Sequence, residues 1–184
     1  MHKEIEARFL DIDKQRLIKR LATIDAADKG EVLLTEIIFY DKKNTWSDEG
    51  RYVRIRSTGD ETRITYKHNQ AQTIDSAREI EFVIPDIKLA KQFLEAIGLV
   101  ASRYQEKLRH TFEKDSVTVD IDTWPQVPTY VELEGPSEES IKSVAELLDF
   151  KWKDAVFEDA RGIIQNHYNI PVTKLRYFTF ERME

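Results

Sequence analysis

Arg51-Tyr52-Val53-Arg54-Ile55-Arg56-Ser57-Thr58-Gly59-Asp60-Glu61-Thr62-Arg63-Ile64-Thr65-Tyr66-Lys67-His68 decides how the rest of the chain is read. On either side of Thr58-Gly59-Asp60, polar and apolar residues alternate with period two. That is the pattern of half-buried strands, and a glycine-containing turn between two such runs marks a hairpin. Residues two apart in a strand point the same way. Arg54 and Arg56 therefore share a face opposite Val53 and Ile55, and Arg63, Thr65 and Lys67 share one opposite Ile64 and Tyr66.

The same alternation extends outward to residues 2–9, 32–41, 77–84, 104–114, 117–122 and 129–135. Glu4, Glu6 and Arg8 oppose Ile5, Ala7 and Phe9, while Glu79 and Glu81 oppose Ile80, Phe82 and Ile84. Lys107 and Arg109 oppose Leu108 and Phe112, Asp120 and Asp122 oppose Val119 and Ile121, and Glu132 and Glu134 oppose Val131 and Leu133. Helical periodicity predicts helices over residues 13–24, with Asp11 or Asp13 as N-cap, and over 86–97, stopping at Gly98. Further helices are predicted from Ser137 and over 153–168, and the tail 171–184 reads equally as strand or helix. The expected class is α+β, mainly antiparallel sheet with helices on one side.

The chain has 184 residues, 34 acidic and 28 basic, no cysteine, and 41% apolar residues. That length suits a single domain spanning residues 1–184. A net charge of −6 argues against a general nucleic-acid binder, which needs a basic surface. Without cysteine there is no disulfide framework, thiol nucleophile or thiolate zinc site. The N-terminus Met1-His2-Lys3-Glu4-Ile5-Glu6 has acids where a signal peptide needs an apolar run, and no stretch approaches the ~20 apolar residues of a membrane span. The expectation is a soluble cytoplasmic protein.

A charged face could simply be wet, as antiparallel sheets allow. The charges here are instead sorted by strand, acids on some and bases on others, with arginine outnumbering lysine. Arginine suits bidentate grip on phosphate or carboxylate. If the sheet closes, the charged face becomes a lumen with room for one small ligand. Opposing acidic and basic walls then need each other or a ligand. Carboxylates hold hard divalent cations, and arginine and lysine hold phosphate oxygens, the usual division of labour in phosphoryl transfer.

Taken in order, Glu4-Ile5-Glu6-Ala7-Arg8, Val53-Arg54-Ile55-Arg56, Thr65-Tyr66-Lys67, Arg78-Glu79-Ile80-Glu81-Phe82, Glu106-Lys107-Leu108-Arg109, Asp120-Ile121-Asp122 and Val131-Glu132-Leu133-Glu134-Gly135 resemble the CYTH proteins, or triphosphate tunnel metalloenzymes. That family includes class IV adenylate cyclases, thiamine triphosphatases and inorganic triphosphatases. The resemblance runs from residue 2 to about 168 and implies a closed eight-stranded antiparallel β-barrel, a tunnel with helices packed around it. It implies metal ligation, by Mg²⁺ or Mn²⁺, through Glu4, Glu6, Glu132 and Glu134. Glu4, Glu6, Arg8 and Asp122 would serve catalysis, and Arg54, Arg56, Lys67, Lys107 and Arg109 would bind the triphosphate. Glu79 and Glu81 resemble a supporting acidic pair, while Asp120 and Arg63 match less firmly. Arg8 stands where the family usually has lysine, and Thr35-Glu36-Ile37-Ile38-Phe39-Tyr40-Asp41 departs from the Gln-x-Asp-x-Tyr-Phe-Asp stretch of cyclase-like members.

The leading expectation is a metal-dependent triphosphatase acting on inorganic triphosphate or a nucleoside triphosphate. A class IV-type adenylate cyclase making cyclic AMP and pyrophosphate from ATP is the first alternative. A thiamine triphosphatase would want aromatic stacking, which Trp46 or Trp124 could supply, although both read first as packing residues. A non-catalytic polyphosphate-binding module and a purely structural sheet remain. The expected partner is a small-molecule triphosphate, with no nucleic acid or membrane, in a monomer or homodimer. His2, His68, His110 and His167 lack metal-ligand spacing and read as packing residues. Tyr177-Phe178-Phe180 reads as a cover for the barrel or one tunnel end before a dimer contact, and Trp124-Pro125-Gln126-Val127-Pro128 as a rigid loop before a lid.

Overall fold

The computed structural model describes residues 2–69, 73–75 and 77–184; the side chains of His2 and Lys3 lie outside the described residues, and with them the packing role expected of His2. The strands are β1 (His2–Lys3), β2 (Glu6–Phe9), β3 (Ala27–Asp41), β4 (Arg51–Ser57), β5 (Thr62–Asn69), β6 (Ala77–Val83), β7 (Leu99–Lys114), β8 (Val117–Thr123), β9 (Tyr130–Glu134) and β10 (Tyr177–Phe178). The helices are α1 (Lys14–Thr23), α2 (Thr45–Asp48), α3 (Ile87–Ala96), α4 (Glu138–Leu147) and α5 (Ala160–Gly162).

One curled sheet takes the order β1-β6-β5-β4-β3-β7-β8-β9-β2. Its pairs are antiparallel except for β10, which runs parallel to β7. The two end strands of that order are halves of the segment predicted as one strand. Between them the Glu4 amide donates to the Ala77 carbonyl at 3.3 Å, and the Ile5 carbonyl accepts from Gly135 N–H at 3.1 Å. The chain thus leaves β6 and joins β9 without changing direction. Register shifts in the β3–β7 ladder at Asp28/Gly30 and Ile38/Phe39 add local bend to the ordinary strand twist.

The outer face of β2, β8 and β9 buries Ala7, Phe9, Val119, Ile121, Val131 and Leu133 against Leu17 and Leu21 of α1 and Ile141, Val144 and Ala145 of α4. Asp13 starts α1 by accepting the Arg16 amide at 3.0 Å, and Ser137 with Ser140 forms a capping box on α4. Losing such a cap costs ~1 kcal/mol. Asp86 caps α3, and the chain leaves it through Gly98 at φ +96°, a left-handed conformation glycine adopts without a Cβ clash. Of the apolar side chains of α3 only Leu94 is buried, with Ala90 beside it, in a second core with Phe39, Val53, Ile55, Ile64, Leu99 and Ala101, while Leu89, Phe93 and the following Ile97 turn outward.

The helix predicted over 153–168 is broken. Trp152–Asp154 is one 3-10 turn, after which Val156 exchanges two backbone hydrogen bonds of 2.9 Å with Arg8. Asp159 then caps a new start by accepting the Gly162 amide at 2.7 Å, and α5 widens into a π-helical turn over Ile163–His167. Pairing with β2 thus overrides the helical period. The tail resolves into a 3-10 turn at Val172–Lys174 and the short β10. Phe178 is fully buried and stacks on Trp124 at 5.8 Å, while Phe180 stays exposed. With Val127, Tyr130, Ile163, Ile164 and Val172 they form a third core inside one end of the curled sheet. None of the described helices is long and apolar enough to cross a membrane.

Candidate functional site

Strand pairing brings the sorted charges together. Arg8 lies opposite Glu132, Arg109 opposite Asp122, Lys67 opposite Glu79, and Arg54 opposite Thr65, which in turn faces Glu81. The concave face of the sheet encloses a cavity of about 300 Å³. Of the residues singled out from sequence, Glu4, Glu6, Arg8, Arg54, Arg56, Lys67, Glu79, Glu81, Lys107, Arg109, Glu132 and Glu134 all line it. Asp122 does not: it is fully buried behind Lys107 and Arg109. Asp120 lies next to it, paired with Arg109 at 2.6 Å and Thr111, and Arg63 sits at the rim between Glu61 and Glu81.

At the side formed by residues 4–8, β6 and β9, carboxylates crowd. Arg8 is fully engaged, with Glu6 at 2.8 Å, Glu132 at 2.6 Å and the Glu158 carbonyl at 2.9 Å. Lys67 Nζ is 2.5 Å from Glu4 Oε2 and 3.9 Å from Glu6 Oε1. Those two cations do not balance the acids. Burial, reinforced by Glu4, pushes the Glu79 carboxyl up to about 7, and burial with Glu132, Glu4 and Glu6 does the same to Glu134. Among the described residues no three acidic or histidine side chains converge into a ready-made metal nest. In donor chemistry, nevertheless, the set fits a hard divalent cation: oxygen ligands, excess negative charge, and protons that a cation would displace.

The wall on β7 and β8 is balanced. Asp122 accepts from Lys107 at 2.7 Å and twice from Arg109 at 2.7 Å. Burial alone would raise this carboxyl, but the two cations hold it below the usual range. Burial, with Arg109 beside it, pushes the Lys107 ammonium down to about 8. Arg54 is the loosely held cation of the cavity. Its nearest carboxylate oxygens among the described residues are at 3.8 Å (Glu36) and 3.9 Å (Glu81), Nη2 reaches Thr65 Oγ1 only at 3.5 Å, and its buried Nε has no hydrogen-bond partner among the described residues. A buried guanidinium N–H without an acceptor is costly, and a phosphate oxygen would satisfy it.

Several lining residues escaped the sequence reading: Glu36, Tyr52, Arg103, Gln105, Asp159 and Arg161. Arg103 and Gln105 continue the period-two face of Lys107 and Arg109; Arg103 lies outside the expected strand because β7 begins at Leu99, five residues early, and Gln105 carries no charge to mark it. Glu36 was hidden because the residues sharing its strand face, Leu34, Ile38 and Tyr40, are apolar or aromatic. Arg161 donates to the Ser47 carbonyl at 2.9 Å and so fastens α5 to α2, a contact with no local sequence signal. Trp124 lines the cavity as a packing residue, donating to Tyr130 at 2.9 Å. Trp46 packs edge-on against Tyr66 at the second core. His110 bonds Asp28 at 2.7 Å and His167 bonds Glu158 at 3.0 Å, and neither lines the cavity.

The CYTH domain family matches residues 2–157. No curated protein matches the sequence. Among solved structures the chain is similar to a Vibrio parahaemolyticus protein described as a candidate adenylate cyclase, with a TM-score of 0.76 and 13% identity over 89% of this chain and 98% of that one. It is similar to the PH1012 protein of Pyrococcus horikoshii, with a TM-score of 0.72 and 18% identity over 84% of this chain and 95% of the other. A Hippeastrum protein described as a candidate adenylyl cyclase with a dominant triphosphatase activity matches with a TM-score of 0.63 and 12% identity, over 94% and 99% of the two chains. At these identities the likeness is one of fold.

Proposed function

The chain belongs to the CYTH family, and from that premise we propose that it is a divalent-metal-dependent triphosphatase whose curled sheet works as a closed eight-stranded tunnel. Counting residues 2–9 as one strand and setting aside the two-residue β10 leaves eight strands. The pairing of that segment with both β6 and β9 supports closure. The observation that carries the function is the division inside one cavity of about 300 Å³: crowded carboxyls on one side, and Arg54 with an unsatisfied buried donor on the other.

Glu4, Glu6, Glu132 and Glu134 would hold the cation, Mg²⁺ or Mn²⁺. A bound divalent cation supplies neutralisation of the phosphate chain and polarisation of the reacting phosphorus. Arg54, Arg56, Lys107 and Arg109 bind phosphate oxygens and set the chain along the cavity. Asp122 and Arg8 act as positioning residues, Asp122 by fixing Lys107 and Arg109, and Arg8 by fixing Glu6 and Glu132. Water attacks the terminal phosphorus in line, the bond to the bridging oxygen breaks, diphosphate leaves and the water's proton passes to a carboxylate of the cavity.

Purified protein offered inorganic triphosphate or ATP with Mg²⁺ or Mn²⁺ should release orthophosphate without cyclic AMP. Cyclic AMP with pyrophosphate would overturn the reading in favour of the cyclase, and metal-dependent binding without turnover would make the protein a polyphosphate-binding module.

A further inference from the structure

Glu36 of β3 stands in register with Arg56 on one neighbouring strand and Gln105 on the other. It is 3% exposed. Oε1 accepts from Arg56 Nε at 2.7 Å and lies 3.8 Å from Arg54 Nη1, while Oε2 accepts from the Gln105 amide. Gln105 Oε1 in turn accepts from Arg103 Nε at 2.6 Å, and Arg103 Nη1 donates to the Val172 carbonyl at 3.2 Å. Val172 lies beyond the residues that match the family. A buried chain of charge-assisted hydrogen bonds therefore runs from the C-terminal segment to Arg56 of β4, with Arg54 at ion-pair distance from its last carboxylate.

A carboxylate aimed into a polyanion site weakens binding by repulsion unless it does something else there. Both oxygens of Glu36 are committed to protein donors, which sets it apart from Glu79 and Glu134, whose carboxyls burial and neighbouring acids push up. The geometry points to Glu36 as the positioning residue of Arg56, orienting its guanidinium group toward a bound triphosphate with Arg54 in ion-pair range of the same oxygen, while Gln105 and Arg103 hold the carboxylate from the C-terminal segment. This inference rests on the reading of the cavity as a triphosphate site. Guanidinium recognition of phosphate depends on the plane and direction of the fork, so orientation is worth affinity.

The sign of one substitution separates this role from that of a counter-ion. Titrating inorganic triphosphate calorimetrically in EDTA, where turnover is blocked, Glu36→Gln should weaken binding by about tenfold, roughly what one charge-assisted hydrogen bond is worth. Glu36→Asp keeps the charge but falls one methylene short, and should weaken it too. Tighter binding by Glu36→Gln, or unchanged binding by Glu36→Asp, would show a counter-ion and overturn the assignment. If neither variant folds, Gln105→Met decides: it leaves Glu36 charged but frees it, and should weaken binding in the same direction, whereas unchanged affinity overturns the proposal. A wild-type chain that binds no triphosphate either in EDTA or with Mn²⁺ would sink the cavity reading itself and the role of Glu36 with it.

Discussion

Two walls of the cavity use the same residue types under the same alternation, yet their charges are handled in opposite ways. On β7 and β8, Asp122 sits between Lys107 and Arg109 with its oxygens satisfied at 2.7 Å, out of reach of any ligand in the cavity. Beyond Glu132, which Arg8 and Arg109 hold in its ionised form, Glu4, Glu79 and Glu134 crowd together, and the carboxyls of Glu79 and Glu134 rise to about 7. The first arrangement is complete without a ligand. The second has charge left over, and the leftover charge marks where a cation belongs.

The largest expected effect of breaking that contrast falls on turnover. Glu4→Gln or Glu6→Gln removes a ligand from the crowded side and should lower kcat by about a thousandfold, the scale of losing a principal electrostatic stabiliser, with folding retained by circular dichroism. A variant keeping more than a tenth of wild-type activity would sink the metal assignment. Next in size, Asp122→Ala leaves the buried Lys107 ammonium without its carboxylate and Arg109 with only Asp120 and Glu132, and should cost roughly 3–5 kcal/mol. In a chain of this length that is a fall in Tm on the order of 10 °C. Glu134→Gln, which relieves repulsion instead, should leave Tm unchanged or raise it. Equal losses from the two would erase the distinction between the walls.

Arg54→Ala sharpens the contrast from the basic side. With no carboxylate closer than 3.8 Å, Arg54 contributes little to holding the fold, so Tm should barely move. The KM for inorganic triphosphate should rise about tenfold, since a phosphate contact is lost. Smallest is the pH effect without metal. Glu79 and Glu134 keep their protons in the folded chain up to about 7, whereas in the unfolded chain they lose them near the ordinary glutamate value. The folded state therefore binds more protons between those limits, and stability falls as pH rises through that window. Thermal melts in EDTA should drop by about 5 °C between pH 5 and pH 8, and excess Mn²⁺ should restore much of the loss at pH 8. A flat profile would mean that the carboxyls are not crowded.

Most of this division is readable in the strands themselves. The hairpin from Arg51 to His68 folds as β4 and β5 with the expected faces, and the alternation around Glu4, Glu79, Lys107 and Glu132 places each of those side chains on the cavity. Period two reports which face a residue takes, but not how deep it lies or what it pairs with. Asp122 and Glu132 look alike in sequence, and only the register, with Arg109 opposite Asp122, shows that one is sealed in and the other faces the cavity. Glu36 was illegible because its strand face is otherwise lined by Leu34, Ile38 and Tyr40, with no second charge to mark it. The helix predicted over 153–168 failed because Val156 has a partner 148 positions earlier in Arg8, a long-range pairing that local periodicity cannot report.

The most direct test is a crystal soaked with Mn²⁺ and inorganic triphosphate, read by anomalous scattering at the manganese edge. Manganese should lie within coordinating distance of Glu4, Glu6, Glu132 or Glu134, with the phosphate chain against Arg54, Arg56, Lys107 and Arg109 in the same cavity. Manganese bound only outside that cavity, or triphosphate bound away from the arginines, would contradict this assignment.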